Sequence, residues 1–196
     1  MKYCHLLLPV ILVGSVFGSI PCASADDGDC DILSSTKLVD YGRFRQGEMR
    51  RVSAESESKI YRGYASVSRE VQVSVICPDD RKIRLYVDGP VRQSKVWQFS
   101  DKGVAVIKVR NARVDGTLVQ LTSSPRGNGP TQGGTSEVTL SPESAISFVN
   151  GQEVIGKQWV ATLMITTYLS DNAFKIGNSQ DLEETLTVSF DAVATQ

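Results

Sequence analysis

"REVQVSVICPDDRKIRLYVDG", Arg69 to Gly89, is the stretch whose reading decides the fold class. Val71, Val73, Val75 and Cys77 alternate with polar residues, and Ile83, Leu85 and Val87 repeat the pattern. Successive side chains of an extended chain point to opposite faces, so each half reads as a half-buried β-strand. Pro78-Asp79-Asp80 between them is turn chemistry, which predicts a tight hairpin.

The same period recurs in both directions along the chain. "VAVIKVRNARVDG" places Ala105, Ile107 and Val109 together; "TLVQL" adds Val119 and Leu121, and "SEVTLSP" adds Val138 and Leu140. The longest run, "QWVATLMITTYL", faces Trp159, Ala161, Leu163 and Ile165 one way. Near the front, Cys30 and Ile32 share a parity, so "CDIL" reads as a first strand with its sulfur inward. No run carries apolar residues at helical spacing, and β-branched residues dominate. About seven or eight short strands separated by Gly and Pro predict an antiparallel β-sandwich.

The last strand poses a problem. "ETLTVSFDAVATQ", Glu184 to Gln196, alternates Leu186, Val188 and Phe190 with Thr187 and Ser189. A strong strand with a neighbour on one side only leaves a row of unpaired backbone groups, which a sheet normally covers.

Composition bounds the function. A chain of 196 residues is of single-domain size, and a net charge of -1 supplies no bulk attraction to nucleic acid or anionic membrane. The first 25 residues read as a signal peptide. Lys2 gives the positive start, Leu6 to Gly18 an apolar core too short to span a bilayer, and Ala23-Ser24-Ala25 a small-residue cleavage site. Pro21 precedes Cys22, where a lipid-anchored cysteine would follow a small residue. The expected mature domain is therefore 26–196, exported and without a transmembrane segment.

Cleavage leaves Cys30 and Cys77, which in an exported chain most simply form one disulfide; no C-x-x-C pairing suggests a redox role. The single histidine, His5, leaves with the signal, which removes His-based catalysis and the commonest zinc and copper ligand sets. Carboxylate chemistry at Asp79 and Asp80 or at Glu183 and Glu184 would survive, but adjacent residues on a strand face opposite ways. No catalytic residue, cofactor or metal ligand is expected.

"SSPRGNGPTQGGTS", Ser123 to Ser136, is rich in glycine but lacks the Gly-Lys-Ser/Thr ending of a phosphate loop. It reads as a mobile surface loop between two strands. Arg43, Arg45, Arg50 and Arg51, with Arg62 further on, could meet an anionic glycan, or be solvated charge interleaved with Glu48, Glu55 and Glu57. Trp97 could stack on a sugar or sit in the core.

An early Cys, "LVDYGRF" at Leu38 to Phe44, a second Cys ending the strand in "VQVSVICPDD", a "DG" after the next strand and an alternating final strand occur here in one order. Together they resemble a subunit of chaperone–usher fimbriae. The resemblance implies an incomplete immunoglobulin-like antiparallel β-sandwich, pilin-like, completed by a donor strand from another protein. A periplasmic chaperone fills the groove first, and a neighbouring fimbrial subunit replaces it at the outer-membrane usher. On this analogy Leu186, Val188 and Phe190 border the donor-strand groove, and the product is exported through the periplasm to a fimbrium on the bacterial surface.

Only Asp26, Asp27, Gly28 and Asp29 lie between the expected cleavage site and Cys30, where a shaft pilin carries an apolar donor segment. Desolvating three carboxylates in apolar pockets would cost several kcal/mol each. The expectation is a tip or minor subunit, with a host receptor as a possible partner. Two other classes stay open: a free-standing exported binding domain, and a periplasmic enzyme.

Overall fold

The computed structural model describes residues 30–52, 63–92, 96–130, 133–175 and 182–194. The signal peptide, Asp26 to Asp29, Glu55, Glu57 and Arg62 lie outside the described residues.

The strands are β1 (Asp31–Ser34), β2 (Arg50–Val52), β3 (Gly63–Ala65), β4 (Arg69–Asp88), β5 (Val91–Arg92), β6 (Val96–Phe99) and β7 (Gly103–Val114). After them come β8 (Thr117–Leu118), β9 (Gln120–Pro125), β10 (Glu137–Leu140), β11 (Ser144–Asn150), β12 (Gln152–Glu153), β13 (Gly156–Leu169) and β14 (Thr187–Ala194). All their pairings are antiparallel. Short 3-10 turns at Gln46–Glu48 and Asp171–Phe174 are the only helical pieces among the described residues.

The expected hairpin at Pro78 is not there. Arg69–Asp88 is one strand of 20 residues. Val71, Val73, Val75, Cys77, Ile83, Leu85 and Val87 are all buried and all have odd numbers, so the inward parity is the same on both sides of Pro-Asp-Asp, while Asp79 and Arg81 at the corner are not buried. The first half of β4 lies between β1 and β13, and the second half between β11 and β14. The strand thus crosses from one layer of the sandwich to the other. Its corner is a bulge: the register with β13 passes from Ile76↔Gln158 to Arg81↔Gly156 with a shift between. Pro78 has no N–H to give to a ladder, and a bulge at a corner is where a strand tolerates that.

From β13 the first layer continues to β7, whose far side carries β6, β10 and β8 in succession. Ala105, Ile107 and Val109 point inward as expected, but then Ala112 and Val114 take over the buried positions. The change of parity coincides with a second bulge, where the register moves from Val160↔Arg113 to Thr162↔Arg110. Asn111 takes up the extra residue with φ 54°, in the left-handed region that Asn accepts more readily than most residues.

The second layer runs β14, β4, β11, β9. Its centre, β11, has no alternation to read: every residue from Ser144 to Val149 is buried. The inner side faces the core through Ile146 and Phe148. The outer side is covered by the glycine-rich stretch, which is not the free loop its composition suggests. Ser123–Pro125 already belong to β9, Leu121 and Thr135 exchange two backbone bonds of 2.8 Å, and a Cβ on Gly134 would lie 2.5 Å from Val149 Cγ2. Arg126 fastens the turn, donating to Asp88 Oδ1 at 2.6 Å and to the Val87 carbonyl at 2.7 Å, with its guanidinium 4.4 Å above the Tyr86 ring.

Candidate functional site: a groove between the first and last strands

β14 is bonded to β4 along one edge, from Thr187↔Asp88 to Ala194↔Arg81. Its other edge has no ladder partner among the described residues. β1 is likewise bonded only to β4, from Asp31↔Ile76 to Ser34↔Val73. A groove of about 1260 Å³ lies between them, walled by residues 32–44 on one side and 182–188 on the other. Its floor is core: Val71, Val73, Val87, Ile107, Leu163 and Leu169 line it. An open backbone edge above an apolar floor is chemically suited to an extended segment that pairs with the edge and drops alternate apolar side chains inward.

Leu186 and Val188 stand on the groove wall, half-buried against the core. Phe190 is half-buried against the same core, opposite Leu85, but beyond the groove-lining residues. Cys30 and Cys77 are joined by a disulfide across 47 residues, which ties the start of β1 to the corner of β4. The two groove strands are thus both pinned to β4, one covalently.

Two residues quoted in the sequence motifs take on roles that periodicity could not assign. Gly89, of the "DG" pair, lets the chain entering β14 pass close: a Cβ there would lie 2.5 Å from Leu186 Cδ2 and 3.2 Å from the Thr185 carbonyl oxygen. Tyr41, of "LVDYGRF", donates its hydroxyl to the Ile165 carbonyl at 2.7 Å and packs with Phe44 and Phe99. Burial pushes its pKa up to about 12, with Arg69 nearby pulling weakly the other way.

The other candidates separate. Trp97 is 1% exposed and belongs to the core, out of reach of a sugar at the surface. Asp79 pairs with Arg81 at 2.9 Å, whereas Glu183 and Glu184 lie on the groove wall, so the two acidic pairs form no common site. Arg45 pairs with Glu48 at 3.2 Å, and Arg43 lines the groove. No group of His, Cys, Asp and Glu suited to a metal ion occurs among the described residues. None of the helices among them is long and apolar enough to cross a membrane.

Two of the solved structures similar to this chain are pilus proteins. One is the crystal structure of the P pilus rod subunit PapA, at 8% identity and TM-score 0.43, covering 83% of this chain and 98% of that one. The other is a chaperone–usher pilus structure that addresses rod uncoiling, at 10% identity and TM-score 0.43, covering 97% of this chain and 98% of that one. No protein-family model matches the sequence, and neither does any curated protein.

Proposed function

We propose that this chain is a fimbrial subunit of the chaperone–usher type, whose sandwich is completed by a strand from another protein. The observation that carries the reading is the groove itself: two strand edges without a ladder partner among the described residues, over a floor made of core residues. Each Val, Leu or Ile side chain buried there contributes about 1.5–3 kcal/mol, so an alternating strand with several of them has a strong drive to enter. In the periplasm the occupant is a chaperone strand; at the outer-membrane usher it is a segment of a neighbouring subunit. The assembled product lies outside the cell as part of a fimbrium.

Within such a fibre we assign the chain to the tip or to a minor subunit, in adhesion to a host or another surface. Support comes from Asp26, Asp27 and Asp29, whose carboxylates make this segment a poor donor for an apolar groove. No catalytic role is assigned.

Expressing residues 26–196 in the periplasm with and without the cognate chaperone tests the reading. Soluble yield is expected to depend on the chaperone, and the two proteins to purify as a complex. Equal yield of a folded monomer in both cases would contradict it.

A further inference from the structure

One wall of the groove is not a strand. All nine residues from Thr36 to Phe44 line it, yet they make no backbone–backbone hydrogen bond among the described residues. Thr36 Oγ1 donates to the Leu38 carbonyl at 2.7 Å and Gly42 N donates to Asp40 Oδ1 at 2.6 Å, so the strap shapes its own turns. These bonds stay within the strap. Among the described residues, its hydrogen bond to the sandwich is the one from Tyr41 to Ile165.

That acceptor lies at a gap. Ile165 is the last residue of β13 paired with β4, through Arg69, and pairing with β3 begins at Tyr168↔Ala65. The hydroxyl of Tyr41 reaches β13 next to this interruption, while its ring rests on Phe44 and Phe99 at 5.8 and 6.3 Å between centroids. Leu38, earlier in the strap, is 78% exposed. The strap is therefore held to the sandwich by the packing of Val39 and Phe44 on the core and by Tyr41, which adds its hydrogen bond and lies under the Arg69 guanidinium at 5.9 Å. A phenol that stays neutral up to about pH 12 keeps its proton to donate throughout the physiological range.

We propose that Tyr41 is a positioning residue for partner capture: through Ile165 it holds the Thr36–Phe44 wall in place, so that an incoming strand meets a preformed slot. This rests on the reading that the groove receives a strand. If the strap were loose, its ordering would be charged against binding, and capture would weaken.

The test refolds three chains by dilution from denaturant into the probe: the mature chain, Tyr41→Phe, which keeps the ring and loses the hydroxyl, and Ile146→Val, a core change outside the groove lining. The probe is a fluorescent synthetic peptide that alternates isoleucine and threonine, and its affinity is read by anisotropy. Losing one hydrogen bond and losing one core methyl destabilise a fold by similar amounts, but only the first is expected to weaken capture, by about fivefold, with Ile146→Val staying within about twofold. Capture by Tyr41→Phe equal to that of the unmodified chain, or an equal loss in both variants, would overturn the assignment. If the unmodified chain takes up no peptide, the groove reading itself falls, and the role of Tyr41 with it.

Discussion

Gly89 and Leu186 approach so closely that a Cβ on the glycine would lie 2.5 Å from Cδ2 of the leucine. The same Cβ would lie 3.2 Å from the Thr185 carbonyl oxygen and 3.5 Å from Trp97 Cδ1. A side chain at position 89 must therefore displace the segment that leads into the groove wall. Gly89→Ala is expected to destabilise the strand-complemented protein by about 1–3 kcal/mol, as overpacking does. Because the closest atom is a movable methyl, Leu186→Ala in the same chain should recover part of the loss. Urea unfolding of the two single variants and the double variant gives the coupling directly.

The bridge between Cys30 and Cys77 closes a loop over a separation of 47 residues. In the chain-entropy account such a link stabilises by about 4 kcal/mol. Replacing both cysteines by serine should lower the urea midpoint by a corresponding amount. The effect should be largest on β1, which has no other ladder partner than β4 among the described residues. Denaturation of oxidised and serine-substituted protein side by side measures it.

Tyr41 predicts a response to alkali. Burial raises its folded-state pKa to about 12 from the ordinary 10.0, so the fold favours the neutral phenol. The stability this contributes is complete below the unfolded pKa and is lost as pH rises through the interval up to the folded one. Thermal unfolding should show a loss of stability between about pH 10 and 12 that is smaller in Tyr41→Phe, with tyrosinate absorbance reporting the delayed titration.

Glu153 predicts the opposite response, to acid. Burial pushes its pKa up, but the two bonds from Arg84, at 2.8 and 3.0 Å, outweigh it and hold the carboxyl below its usual range. A depressed folded pKa contributes stability that is present above the unfolded value near 4.5 and lost as pH falls through the folded one. Arg84 sits in β4 beside β14, opposite Asp191, so this pair braces the strand that borders the groove. Glu153→Gln should flatten the acid limb of the stability profile and lower stability at neutral pH, since Arg84 would then be left 13% exposed without its carboxylate. A pH series of urea midpoints checks both.

How much of this was legible before the structure depends on the kind of signal. Period-two alternation located β4, β7, β13 and β14 and the inward parity of Val71, Leu163 and their neighbours. It could not show that Pro78 bends one strand instead of ending it, because turn chemistry and bulge chemistry use the same residues; the shared odd parity of the apolar residues before and after Pro-Asp-Asp was the available clue. β11 escaped because a strand covered on both faces has no polar side to alternate with. Gly134, which covers it, looks like loop in the sequence, and only its close approach to Val149 gives it a reason. Val188 could be placed on a strand, which begins one residue after Leu186, but Gly89 and Tyr41 act through residues distant in the chain, Tyr41 across 124 positions, and local pattern carries no such information.

Amide hydrogen exchange along β14 tests the central claim most directly. Its outer edge has no ladder partner among the described residues, so the mature chain alone should exchange rapidly at alternate amides from Thr187 to Asp191. Supplying a donor strand, from the chaperone or as an apolar alternating peptide, should slow those amides by orders of magnitude together with residues 36–44 on the opposite wall. If the isolated chain already protects every amide of β14, and an added strand changes none of them, no partner completes this sandwich and the fimbrial account is wrong.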